Sequence, residues 1–359
     1  MTPWIPDVAP AFPDYFAVVP GAFPVLPVFA GLLAVLYIAG AVRMWVRRRR
    51  WSVWRTLSFL IGCALLAATT GLAVENYGYA LMSVFMFQQL TLMMAIPPLL
   101  ILGSPGTLLL RATPHVGMGR TALAVAHAGL RSRLARWVLS PWAALPLYLA
   151  AFYGLYLAGF ADSILSSTAG HIALEVAFLG AGIIFTIPIL SSDPLPVRLS
   201  HGGRVLDVFA EAALHAFFGV FLMMATTTLI THFAAPTQAM GLDPIEDQQL
   251  AGGLAWSYGE APTLLMLIYV MHRWFREDTA RSEAQDRYVD IHGSSELDDY
   301  NAYLQKLRER DIGPVPTFSQ RVPPRSRQPG ALEVSGDSTT AGEGQWSIAR
   351  KDSDRASPY

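Results

Sequence analysis

The sequence predicts an all-α fold: a polytopic membrane bundle of about seven transmembrane helices, N-terminus outside and C-terminus cytoplasmic. Three observations predict it. Of the 359 residues, 53% are hydrophobic and only 15% charged, where a soluble domain carries about 25% charge. The apolar residues gather into about seven runs, each near the ~17–25 residues that a spanning helix requires. Of the connections between those runs, only alternate ones contain Lys or Arg; Arg55, at the start of the second run, and Arg273, at the end of the seventh, lie within runs.

Residues 1–24 form an extracytoplasmic N-terminal segment, rich in Pro and aromatics and free of Lys and Arg. It has no basic n-region, so a cleavable signal peptide is not expected. The first run covers Val25 to about Val42 and stops at Arg43 and the cluster Arg47 to Arg50. The second runs from about Val53 to Val74, the third from Tyr79 to Gly103, and the fourth from Trp142 to Phe160. The fifth covers His171 to Leu190, the sixth Leu206 to Ile230, and the seventh about Leu250 to Trp274. Segments 75–79, 161–170 and 231–249 contain no Lys or Arg, whereas the other connections hold Arg111, Arg120, Arg131, Arg133, Arg136, Arg198 and Arg204. Short basic loops stay in the cytoplasm, which orients the chain.

The long connection 104–141 reads as a connector helix over Thr121 to Val138, or as an amphipathic helix on the membrane surface. Residues 275–312 form a polar cytoplasmic helical segment with heptad-like Tyr300, Tyr303, Leu304 and Leu307. Residues 313–359 are too rich in Ser, Pro, Gly and Arg to bury a core, and are expected to be disordered. Cys63 is the only cysteine, which excludes an intramolecular disulfide and any Cys-X-X-Cys motif. No phosphate-binding loop, nucleophile–base pair or nucleic-acid patch is present, so a non-enzymatic membrane protein without a nucleic-acid partner is expected.

Ionisable residues inside the apolar runs need a reason to be there. Glu260 lies about ten residues into the seventh run, roughly 15 Å deep at 1.5 Å per residue. Glu211 and His215 are four apart in the sixth, and His171 and Glu175 four apart at the outer end of the fifth, so each pair shares a helix face. Such pairs hold a metal, relay a proton or knit the bundle together by hydrogen bonds. The third run carries Met82, Met86, Gln89 and Met93 on one stripe. Met223 and Met224 lie in the outer half of the sixth. Thioethers select Cu(I), and methionine is also a common core filler. The segment Asp243 to Gln249 puts acids and amides before a helix start, where Asp247 suits an N-cap or first-turn acid. Gly252 and Gly253 permit close helix approach.

Five segments, taken in order, resemble the CtaG-like (caa-type) cytochrome c oxidase assembly factor family in its actinobacterial form. They are Met86 to Pro105 with the following LLLRATP, HIALEVAFLGAGIIFTIPILSSDPLPVRL from His171, LHAFFGVFLM from Leu214, DQQLAGGLAWSYGEAPTLL from Asp247, and SSELDDYNAYLQKL from Ser294. The resemblance implies an assembly factor in the cell membrane that partners haem–copper oxidase subunits and delivers or inserts copper from the outer face. The family typically has His-Met-x-x-His at the outer end of the third helix. Here that stretch is Phe85-Met86-Phe87-Gln88-Gln89, and a further expected histidine is Ala177. His171, His215, Asp247, Gln248, Trp256 and Glu260 match. The expected copper site, Cu(I) of Met and His character, draws on Met82, Met86, His171, Glu175 and Met223. Two other readings stand beside it: a proton-coupled transporter using Glu211, His215 and Glu260, and a structural chaperone without metal.

Overall fold

The computed structural model describes residues 4–18, 24–197, 199–292 and 295–311, and is all-helical among them. The expected disordered tail, 313–359, lies outside the described residues.

Among the described residues, four helices are long and apolar enough to cross a membrane. The first is α1 (Val25–Val46), which turns Val28, Leu32, Val35 and Leu36 outward. Water would not tolerate an apolar face of that extent, whereas lipid favours it. It packs on α2 (Val53–Thr69), a shorter apolar helix. The short α3 (Ala73–Gly78) then folds back as a ledge beside the N-terminal segment. There a one-turn 3-10 helix, Phe12–Phe16, sets Tyr15 edge-on against Tyr77, and Asn76 Nδ2 donates to the Trp4 carbonyl at 2.7 Å.

The second candidate span is the helical stretch Met82–Ala112, interrupted at Gly103–Ser104, and it is the most buried of the four. Its parts are α4 (Met82–Leu90), a π-helical turn (Thr91–Ala95), α5 (Ile96–Leu102) and α6 (Pro105–Ala112). The π turn has an identifiable cause. Pro97 has no N–H, so the Met93 carbonyl loses its helical donor and the ladder slips. Gly182 of the helix Thr168–Leu190 presses on that carbonyl, so closely that any side chain there would collide with the Met93 backbone.

The connector over Thr121 to Val138 is two helices, α7 (Met118–Arg131) and α8 (Arg133–Val138), broken at Ser132. The fourth apolar run is likewise interrupted. Pro146 sits inside α9 (Pro141–Leu149), a second π turn covers Ala150–Gly154, and α10 (Leu155–Leu157) ends the run. After the short α11 (Ala161–Leu165), the third and fourth candidate spans are α12 (Thr168–Leu190) and α13 (His201–Met224). The sixth run therefore ends at Met224, six residues before the expected Ile230.

A 3-10 turn (Thr231–Phe233) and α14 (Ala234–Ala239) lead to α15 (Pro244–Ser257). The expected seventh helix is not one piece: Tyr258 and Gly259 form a turn, and α16 (Glu260–His292) starts there. Helices α13 and α15 make the most extensive contact in the bundle. They meet backbone to backbone at Gly219 and Gly252, where an added Cβ on Gly252 would lie 2.7 Å from the Met223 nitrogen. Close approach of this kind replaces side-chain area by main-chain packing. Helix α17 (Ser295–Asp311) lies in a separate compact unit and carries Tyr300, Tyr303, Leu304 and Leu307 exposed.

Candidate functional site

Three elements meet at one end of the bundle: α3, the N-terminus of α4 and the N-terminus of α12. Ser167 caps α12, its hydroxyl accepting from the Gly170 N–H at 3.0 Å. This fixes the first turns of α12, where His171 and Glu175 stand one above the other on the buried face. Glu75 reaches them from α3. One ligand atom from each of Glu75, His171 and Glu175 lies within 4.8 Å of the others. His171 Nε2 is 3.5 Å from Glu75 Oε1. The other Glu75 oxygen accepts from Gln88 Nε2 at 2.7 Å, and that amide also donates to the Thr69 carbonyl at 3.1 Å. Glu75 is thus held in place from α4.

Aromatic rings wall the cluster. Tyr79 stacks on His171 with centroids 3.9 Å apart, and Phe85 lies tilted at 5.6 Å. Phe233 packs on Phe85 and carries His232 edge-on beside it. His171 and Glu175 are nearly inaccessible, at 1% and 3%. Nevertheless both nitrogens of His171, Oε1 of Glu175, the Tyr79 hydroxyl and Oε1 of Gln88 have no hydrogen-bond partner. Buried polar atoms are almost always paired, and each orphan costs about 1–3 kcal/mol. Burial, opposed by hydrogen bonding to Glu175 and Gln88, pushes the Glu75 carboxyl up to about 7.

The thioethers are distributed differently. Met82 is three residues before Phe85 and so shares the face of α4 that looks toward His171. Met86 is turned about 100° from Phe85, and its sulfur receives the Tyr156 hydroxyl at 3.9 Å. The same hydroxyl donates to Gln89 Oε1 at 2.8 Å. Gln89 Nε2 donates to the Ala151 carbonyl in the second π turn at 3.2 Å and points at the Met93 sulfur, 3.9 Å away. The Gln89 amide therefore ties two irregular helices together. Met223 packs on Gly252 of α15.

Glu211 and His215 form a second buried cluster, both wholly inaccessible. Glu211 Oε1 accepts from the Tyr148 hydroxyl at 3.1 Å and lies 3.3 Å from His215 Nδ1. Its Oε2 accepts from the Thr263 hydroxyl at 3.2 Å. Helices α9, α13 and α16 are joined through one carboxyl group. Glu260 does not join it: its side chain is exposed, in a groove with Phe209, Ala212, Ser257 and Leu264. Counting residues estimates the depth of Glu260 along the helix but not the direction it faces. Trp256 is also exposed, at 47%.

Asp247 and Gln248 act on other segments. The N-cap of α15 is Asp243, whose carboxylate accepts from the Ile245 and Glu246 N–H groups at 2.7 and 3.3 Å. Asp247, a first-turn acid of α15, caps α4 instead, accepting from the Met82 N–H at 2.6 Å and from the Ser83 hydroxyl. Gln248 pins the chain after α13, accepting from the Leu229 N–H at 2.8 Å and donating to the Thr227 carbonyl at 3.0 Å.

The sequence reading missed Glu75, Tyr79 and His232. Glu75 and His232 lie in the connections noted only for lacking Lys and Arg. An acid beside an apolar run, with no cation in its own connection, was the available signal.

The fold and site define an all-helical membrane protein with a buried carboxylate–imidazole cluster where three helices converge. The family described as cytochrome c oxidase caa3 assembly factor (Caa3_CtaG) matches residues 35–277, and the chain belongs to it. Uncharacterised proteins of Mycobacterium bovis and Mycobacterium tuberculosis are each 36% identical over 280 residues, covering 77% of this chain and 42% of their own length. One from Mycobacterium leprae is 33% identical over 286 residues, with the same coverage. The chain thus spans less than half the length of these relatives. No solved structure matches it.

Proposed function

We propose that this chain is a non-enzymatic, multi-pass assembly factor of the cell membrane that supplies copper to a haem–copper oxidase from the outer face. Family membership supports the assembly role. The observation that carries the copper reading is the set of buried, unpartnered donors around His171. Imidazole is a ligand that suits copper, and Met82, on the adjoining face of α4, offers a thioether that Cu(I) would accept. Met86, beside the Tyr156 hydroxyl, and Met223, packed on Gly252, lie on other contacts.

The topology belongs to the same reading. We place α1, α2, the Met82–Ala112 stretch, Pro141–Leu157, α12, α13 and the α15–α16 pair across the bilayer, N-terminus outside. The connections free of Lys and Arg then lie on the outer side, and the Glu75 cluster lies buried near that end. Two π turns and the break at Tyr258–Gly259 are tolerated because neighbouring side chains take up the freed backbone groups. The proton-coupled carrier has less support. It needs Glu211 and Glu260 in one cavity, yet both Glu211 oxygens are engaged and Glu260 faces outward.

Deleting the gene tests the proposal. Oxidase polypeptide should accumulate while its copper content falls, and restoring the gene should restore copper. Normal copper in the oxidase of the deletion strain would refute it.

A further inference from the structure

We infer that Glu75, His171 and Glu175 form a three-ligand site for a divalent transition ion of the Cu(II) and Zn(II) class, with one coordination position open. The inference rests on the copper reading only for the identity of the cargo; the site stands on its own geometry.

The spacing is that of ligands rather than of an ion pair. A charge-assisted hydrogen bond would close to about 2.7–2.9 Å. The separation of His171 Nε2 from Glu75 Oε1 is 3.5 Å. Metal–nitrogen and metal–oxygen bonds of about 2.1 Å in a tetrahedral site put neighbouring ligands roughly 3.4 Å apart. The widest separation in the trio, at most 4.8 Å, closes with a small rotation of a carboxylate. Both His171 nitrogens and Glu175 Oε1 are buried without partners, so their lone pairs are free to face an ion.

Charge argues the same way. When both are ionised, two carboxylates in a buried site need a counter-charge. The nearby connections 75–79, 161–170 and 231–249 carry no Lys or Arg to provide it. A dication balances two carboxylates, whereas a monocation leaves one uncompensated. Donor type separates the ions further, because carboxylate oxygen is a hard ligand and imidazole a borderline one, and Cu(I) prefers sulfur. Between the divalent candidates, a given oxygen–nitrogen site binds Cu(II) above Zn(II). Gln88 holds the second oxygen of Glu75, as outer partners of metal-binding carboxylates do. The unpartnered Tyr79 hydroxyl and Gln88 Oε1 are placed to hydrogen-bond a water in the open position.

The test uses full-length protein in detergent, stripped with a chelator and titrated with Cu(II) or Zn(II) against a competing chelator. One ion per chain should bind, Cu(II) more tightly. Glu75→Gln and Glu175→Gln, which keep shape and remove charge, should each weaken binding by about a hundredfold or more, since even outer-partner losses cost 10–100-fold. Thermal unfolding of both variants checks the fold. Electron paramagnetic resonance of the Cu(II)-loaded wild type needs no variant and should show a single coordinated nitrogen. Absence of divalent binding, binding unchanged in both variants, or a spectrum with several nitrogens or with sulfur would overturn the inference. Cu(I) binding that depends on Met82 or Met86, without divalent binding, would overturn it and leave the copper-supply reading standing. Divalent binding lost in Glu75→Gln, with oxidase copper unchanged in a strain carrying that variant, would keep the site and refute copper supply through it.

Discussion

Asp247 caps a helix other than its own: its carboxylate takes both the backbone N–H, at 3.3 Å, and the hydroxyl of Ser83 at the start of α4. It thereby satisfies N–H groups that would otherwise be orphaned at a buried helix end. The cap sets the register of α4, and with it Phe85 and Gln88 beside the cluster. Asp247→Ala should lower stability by about 1–2 kcal/mol, the usual cost of a lost cap. Asp247→Asn, which keeps an acceptor oxygen, should cost less. Thermal unfolding in detergent measures both, and equal losses would mean that the charge, not the cap, matters.

The crossing of α13 and α15 makes a sharper contrast between adjacent glycines. A methyl on Gly252 would lie 2.7 Å from the Met223 backbone nitrogen, whereas one on Gly253 meets nothing within 4 Å. Gly252→Ala should destabilise by about 1–3 kcal/mol through overpacking. Gly253→Ala should be neutral or slightly stabilising, because alanine favours the helix. Size-exclusion profiles and melting temperatures of the pair decide it.

Glu211 should behave as a structural junction. Glu211→Leu strands the Tyr148 hydroxyl, at about 1–3 kcal/mol for a buried group left unpaired, whereas the Thr263 hydroxyl keeps the Gly259 carbonyl at 3.0 Å. Glu211→Gln keeps an acceptor for one and should retain most of the stability. If Gln and Leu unfold alike, ionisation of Glu211 is needed to hold the bundle.

Glu260 should separate stability from function. Its side chain is exposed, so Glu260→Ala and Glu260→Gln should both melt like the wild type. Oxidase assembly should fall more with Ala than with Gln, because the amide keeps hydrogen bonds that a methyl cannot make. Equal loss in both would show that the charge is required.

The all-helical character and four apolar spans were legible in the sequence, because apolar runs report the solvent around each segment. The pairing of His171 with Glu175 and of Glu211 with His215 followed from helical spacing alone. Interruptions were not legible: a π turn leaves hydropathy unchanged, and Pro97 acts only through the carbonyl of Met93. The direction of Glu260 depended on helix rotation, which a break at Tyr258–Gly259 resets. Glu75 was hidden because its place beside His171 depends on how α3 packs against α4, a tertiary event with no local signature. Asp247 read as an acid of its own helix because a cap supplied from another segment looks identical in sequence.

The most direct test is the copper content of purified oxidase from a deletion strain carrying wild type, His171→Ala or Glu75→Gln, each at matched membrane level. The account predicts full copper with the wild type and copper-deficient oxidase polypeptide with both variants. Fully metallated oxidase in both variant strains would contradict it.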